Sequence, residues 1–145
     1  MSFGGGGSSS GGTQVVQNEP YAPAQPALNQ IISDASAIYG QGYKWWIDFF
    51  KGKISRERPT MLYLENCINV VITDITLLDS PRFHIYAKNI LRMEIADVTI
   101  WVDADHSIFP FNTDGIDVSG KDIYIHDCMI SNYDDAICIK PADYS

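Results

Sequence analysis

One alternation of apolar and other residues recurs three times along the chain. Ile72-Thr73-Asp74-Ile75-Thr76-Leu77 returns 23 positions later (72 to 95) as Ile95-Ala96-Asp97-Val98-Thr99-Ile100. After 30 more (95 to 125) it returns as Ile125-His126-Asp127-Cys128-Met129-Ile130. Period-two alternation with frequent β-branched residues predicts strands. Recurrence at this interval predicts a solenoid, in which each turn of the chain adds one unit. No helical stretch separates the copies, so the pattern predicts an all-β fold: a right-handed parallel β-helix of about three coils, incomplete as a solenoid.

A second short strand follows each copy, at Phe83-His84-Ile85, Ile116-Asp117-Val118 and Ile137-Cys138-Ile139. Aligning Phe83, Ile116 and Ile137 stacks Pro81, Asp114 and Asp135 on neighbouring coils. Neighbouring strands lie about 4.8 Å apart, so Asp114 and Asp135 are expected close together. Asp134 leans to the opposite side of a regular strand, and a bend at the strand's start would return it to the same edge. An insertion from Asp103 to Phe111 overhangs that edge, with Phe109-Pro110-Phe111 as a groove wall.

The rest of the chain divides by composition. Gly4 to Gly12 is glycine and serine, and the stretch to Leu28 is rich in Pro, Ala, Gln and Asn. Such a stretch buries too little apolar surface to order itself, so 1–28 reads as a flexible tail. Residues 29–65 form a leading segment with an aromatic block, and 66–145 the partial β-helix. Ile31 to Ile38 fits either a short helix or a strand. Lys44 to Lys53 reads as a short helix, because Trp45, Trp46, Phe49 and Phe50 fall at helical spacing. Trp45 and Trp46 are expected to cover the end of the core rather than to stack on a sugar. No apolar leader core follows Met1 and no stretch is long enough to span a membrane, so the expectation is an intracellular chain or a true amino terminus that lies elsewhere.

A formal charge of −8 over 145 residues speaks against nucleic acid as a partner. It also repels an anionic polymer at long range, leaving Arg82 and Lys140 as the cations near the proposed edge. Cys67, Cys128 and Cys138 form no zinc pattern, and Cys128 aligns with Ile75 and Val98 as a small core residue. His84, aligned with Asp117 and Cys138, reads as structural or surface, as do His106 and His126, the latter aligned with Ala96. No metal or cofactor is expected.

The chemistry rests on Asn112-Thr113-Asp114-Gly115-Ile116-Asp117 and Asn132-Tyr133-Asp134-Asp135-Ala136-Ile137. Singly, Asp-Gly is a turn dipeptide whose glycine tolerates positive φ, and Asp-Asp is a solvated turn. In register on stacked coils, Asp114, Asp134 and Asp135 bring like charges together, which stability alone would avoid. Paired carboxylates on a rigid edge suit general acid and base work on a glycosidic bond.

From Ile38 onward the chain resembles the polygalacturonase family of glycoside hydrolases. The two aspartate blocks resemble its N-T-D and D-D signatures. Gly40-Gln41-Gly42-Tyr43-Lys44-Trp45-Trp46 resembles its G-x-G-x-x-W-W block, and Arg58-Pro59 with Leu62 to Val70 resembles its first coils. Asp79-Ser80-Pro81-Arg82-Phe83-His84 resembles its N/D-S-P-x-F-H block. The resemblance implies a secreted enzyme that hydrolyses a pectic polysaccharide by a single inverting displacement. It implies Asp134 as the acid that protonates the leaving oxygen, with Asp114 and Asp135 holding the attacking water. Tyr133 stands where the family has glycine or glutamine, and the later G-H-G and R-x-K blocks have no counterpart. The expectation is therefore a fragment or decayed copy, marginally folded, oligomeric or aggregation-prone, and inactive alone. Two other readings are a non-catalytic solenoid that binds glycan or another chain, and a Ca²⁺-dependent lyase, for which the sequence offers no convincing basic proton acceptor.

Overall fold

The repeated aspartates turn out to be corners. In the computed structural model, which describes residues 36–54, 57–103 and 108–141, Asp74, Asp97 and Asp127 adopt φ values of 55°, 53° and 52°. Asp and Asn tolerate this left-handed region better than other side-chain-bearing residues. Each therefore ends one strand and starts the next: β3 (Ile68–Thr73) to β4 (Ile75–Leu78), β5 (Ile85–Ala96) to β6 (Thr99–Trp101), and β7 (Ile116–His126) to β8 (Met129–Ser131). The remaining elements are β1 (Ser36–Tyr39), α1 (Gly42–Phe50), β2 (Leu62–Glu65) and β9 (Ile137–Ile139). The tail expected over 1–28, Ile31 to Ala35 and His106 lie outside the described residues.

The strands form two parallel sheets, ordered β1-β4-β6-β8 and β2-β5-β7-β9, with β3 also paired to β5. The chain passes from one sheet to the other at each aspartate corner, and each strand pairs with its counterpart one circuit later. Among the described residues the fold is all-β apart from α1, and no helix there is long and apolar enough to cross a membrane. Leu77, Ile85, Ile95, Val98, Ile100 and Ile116 are fully buried between the sheets. Cys128 packs against them as the pattern predicted, and all three cysteines are unpaired.

Register agrees with the repeat along the apolar ladder, where Ile72 pairs with Ile95 and Ile95 with Ile125. Ile116 pairs with Ile137 as expected. The third alignment needs correction: Ile85, not Phe83, lies opposite Ile116. The chain at Ser80 to His84 is still turning, with the Ser80 hydroxyl donating to the Phe83 carbonyl at 2.8 Å, so the strand begins two residues later. Phe83, not Pro81, therefore stands level with Asp114, and Tyr86, not His84, pairs with Asp117. The expected second strands are the first residues of the long β5 and β7, which bend at Asn89 (φ 54°) and Gly120 (φ 143°).

The leading segment packs differently from the expectation of an end cover. Trp46 is buried in a separate cluster with Val102, Tyr43, Ile108 and Tyr133, and its indole N–H donates to the Pro81 carbonyl at 3.2 Å. Trp45 is 37% exposed. Tyr133 thus fills a corner against Trp46 and Phe109, which accounts for a large residue at that place.

Candidate active site at the carboxylate edge

Asp114 is held from below. Its carbonyl accepts from the His84 backbone N–H at 2.9 Å and lies 3.1 Å from His84 Nδ1, while the Ser80 N–H points at Nε2 from 3.4 Å. These partners assign the Nδ1–H tautomer to a fully buried, neutral ring. Burial pushes His84 down to about 4, against the opposing effect of its backbone partners at Asp114 and Thr113. The histidine is structural, as the sequence suggested, but its position directly beneath Asp114 was hidden by the two-residue slip.

The Asp134-Asp135 turn is fastened to the same strand start. Gly115 N–H donates to the Asp135 carbonyl at 2.9 Å and Ile116 N–H to that of Ala136 at 3.0 Å. Asn132 Nδ2 donates to the carbonyls of Thr113 (3.1 Å) and Asp135 (2.8 Å). The Asn112 and Asp135 N–H groups donate to the two oxygens of Asp134 at 2.7 and 3.0 Å. This bend brings Asp134 to the edge shared by Asp114 and Asp135. One carboxylate oxygen from each of the three lies within 4.8 Å of the others. Gly115 is not in a positive-φ conformation, so a turn does not explain it. A Cβ there would meet the Ala136 oxygen at 2.5 Å, which makes close approach its reason.

Electrostatics separates the three. Asp134 and Asp135 are exposed, whereas Asp114 is 5% exposed and its Oδ1 has no hydrogen-bond partner among the described residues. Its pKa is raised to about 6, first by burial and then by the charges of Asp117 and Asp134, with Lys140 opposing. Asp117 is fully buried, and Lys140 Nζ sits 3.2 Å from its Oδ2. Lys140 in turn is raised by its contacts with Cys138 and then Asp117. Sequence reading missed Asp117; the signal was its place three residues beyond Asp114 in the same motif. The three carboxylates also offer oxygens suited to a hard divalent cation. The nearby ammonium, Lys140, is paired with Asp117.

Arg58 ties the leading segment to this edge. It is buried between the Phe49 and Phe111 rings, 4.8 Å from each centroid, and its Nη2 donates to the Phe111 carbonyl at 2.7 Å and Asn112 Oδ1 at 3.3 Å. Phe109 stacks on Phe111 and meets Tyr133 edge-on. Arg58→Ala is expected to lower unfolding free energy by about 2–3 kcal/mol in urea titration, because charged hydrogen bonds and a ring sandwich are lost together. An unchanged midpoint would show that the loop holds itself.

Beside the carboxylates runs a cleft of about 520 Å³ lined by Glu57, Arg58, Thr60, Tyr63, Arg82, Phe83 and Tyr86. Residues 24–144 match the family of glycosyl hydrolases family 28. A probable polygalacturonase of Vitis vinifera is 35% identical over 114 residues, covering 76% of this chain and 22% of that protein. A probable polygalacturonase of Arabidopsis thaliana is 36% identical over 111 residues, with the same coverages of 76% and 22%. A probable rhamnogalacturonase E of Aspergillus oryzae is 29% identical over 109 residues, 75% of this chain and 23% of that protein. The chain therefore spans 22–23% of the length of these relatives. No solved structure matches.

Proposed function

Because the chain belongs to glycosyl hydrolases family 28, we propose that it carries the acid and base carboxylates of a pectin-degrading glycosidase. One observation supports this above the rest: three carboxylates from two successive circuits converge within 4.8 Å on one edge. We read the two parallel sheets as a right-handed parallel β-helix of about three coils over 66–145, preceded by the leading segment. The substrate is a pectic polysaccharide of the polygalacturonate kind, met outside the cell.

In this reading the exposed Asp134 protonates the leaving oxygen while Asp114 and Asp135 share the water that attacks the anomeric carbon. The displacement is single and inverts configuration. The separation is shorter than the roughly 6.5–9.5 Å of ordinary inverting pairs. The water therefore sits beside Asp114 and Asp135 at the open edge rather than on a line between two opposed walls. A second reading exchanges the roles of Asp114 and Asp134. It is favoured by the burial of Asp114 and by the two N–H donors on Asp134, which suit a carboxylate.

The test transplants residues 36–141 into the corresponding coils of the Vitis vinifera relative and assays de-esterified pectin. Release of reducing ends, with inverted configuration in the first-formed product by NMR, is expected. Loss of activity with EDTA together with an unsaturated product absorbing in the ultraviolet would overturn the hydrolase reading in favour of a lyase.

The pH profile offers a separate check. A base at Asp114 must be ionised, so kcat/KM is expected to fall about tenfold per pH unit below about 6. Asp117→Asn removes a neighbouring negative charge, which eases ionisation of Asp114, so the acid limb should move to lower pH. A limb that stays in place, or moves upward, would remove Asp114 from the base role.

A further inference from the structure

We propose that the cleft beside Arg82 is a subsite for the carboxylate of an acidic sugar unit, and that Glu57 occupies that place when the cleft is empty. The proposal rests on the pectic reading above and adds the residue that reads the substrate's charge.

Phe83, which lines the cleft, brings it next to the carboxylate edge. Phe83 stands one strand from Asp114, a spacing of about 4.8 Å, and Tyr63 and Tyr86 occupy the next positions outward on β2 and β5. Their rings cluster, Tyr63 tilted against Tyr86 at 5.5 Å and Phe83 edge-on to Tyr86 at 5.7 Å. Aromatic faces of this kind pack on the apolar face of a sugar ring while leaving its polar groups free. The Arg82 guanidinium lies over the Phe83 ring, 4.4 Å from its centroid. Its side chain is 26% exposed, and its ion-pair partner is Glu57, whose side chain is 80% exposed.

A half-sheltered arginine paired to a solvated glutamate is an exchangeable arrangement. The planar guanidinium fork matches a carboxylate in two-point geometry, whichever molecule supplies it. A pair so open to water contributes only about 0–1 kcal/mol, so an incoming carboxylate displaces Glu57 at small cost. Arg58 lines the same cleft, and Lys140 Nζ is 5.7 Å from the Phe83 ring. Arg58 and Arg82 outnumber Glu57, the carboxylate lining this cleft, in a chain of net charge −8. That local reversal of sign answers the long-range repulsion of a polyanion.

Equilibrium binding to the chain tests this without requiring turnover. The probes are trigalacturonate and its fully methyl-esterified, neutral counterpart, titrated calorimetrically. Arg82→Gln should weaken the acidic trimer about tenfold or more and the neutral trimer less than about twofold. Glu57→Gln should tighten the acidic trimer alone. The neutral trimer doubles as a control for folding of each variant. Equal weakening of both oligomers, or an unchanged acidic affinity in Arg82→Gln, overturns the subsite; so does a failure of either trimer to bind. The two proposals fail separately. Arg82-dependent acidic binding with no reducing ends released by the transplanted coils keeps the subsite and sinks the hydrolase reading. Turnover with no charge selectivity at Arg82 does the reverse.

Discussion

Asp134→Asn in the transplanted coils is expected to cut release of reducing ends from de-esterified pectin by about 10²–10⁴-fold, the usual worth of a positioned general acid. An amide has no proton of suitable acidity to deliver to the departing oxygen. The fold should survive, because Asp134 is exposed and, among the described residues, accepts from two backbone N–H groups, those of Asn112 and Asp135. The amide oxygen can keep one of these bonds, and water can take the other. The decisive comparison uses an aryl galacturonide whose leaving group needs no protonation. If Asp134 is the acid, that substrate restores most of the lost rate to Asp134→Asn and none to Asp114→Asn, which still lacks its base. The opposite pattern of rescue would exchange the two roles, as the burial of Asp114 permits. Equal residual activity of Asp134→Asn and its parent on pectin would falsify any catalytic role for this carboxyl.

How much of this was legible in the chain depended on what each residue answers to. The ladder Ile72, Ile95 and Ile125 was readable because a one-residue slip in a strand turns every apolar side chain outward, so the pattern fixes register strongly. Phe83 was misaligned because an aromatic residue in a turn imitates the start of a strand. Only the Ser80 hydroxyl bond to the Phe83 carbonyl, invisible in the pattern, shows that the chain is still turning. The repeated aspartates were correctly placed but mute as to purpose. Asp74, Asp97 and Asp127 serve backbone geometry, while Asp114, Asp134 and Asp135 converge, and the letter is the same in both sets. Motif blocks separated them.

Arg58 was read only as part of a resembling block. Its contacts with Phe111 and Asn112 span 53 and 54 positions, beyond any local signal. Asp117 illustrates a different limit. The sequence reading placed it on a second strand, level with His84 and Cys138, and gave it no role. It is fully buried and paired with Lys140, 23 residues downstream (117 to 140), and its charge helps hold Asp114 near 6. A period-two pattern encodes neither that burial nor a pairing across 23 residues.

Gly115→Ala is expected to lose both stability and activity, and its two costs can be told apart. The glycine's φ is not positive, so alanine adds no backbone strain there. By restricting the unfolded chain, it would on that count alone stabilise the protein by about 0.4–1 kcal/mol. Space decides otherwise. The added Cβ would lie 2.5 Å from the Ala136 oxygen and 2.8 Å from Ile130 Cγ2. The first contact is with backbone held by Ile116 N–H at 3.0 Å, so relief requires the strand start at β9 to move away. Overpacking of this kind costs about 1–3 kcal/mol. The same movement draws Asp134 and Asp135 from Asp114, and misplacement by roughly 1 Å costs on the order of 10²-fold in rate. Gly52→Ala is the matched control, with φ 64° and nothing within 4 Å of a built Cβ. It should cost about 1 kcal/mol through strain alone and leave kcat/KM unchanged. Urea midpoints and kcat/KM for the two variants should therefore diverge, Gly115→Ala losing both and Gly52→Ala only stability. If Gly115→Ala instead kept full activity, the approach of Asp114 to the Asp134-Asp135 turn would be looser than 4.8 Å demands, and the shared-water arrangement would fall with it.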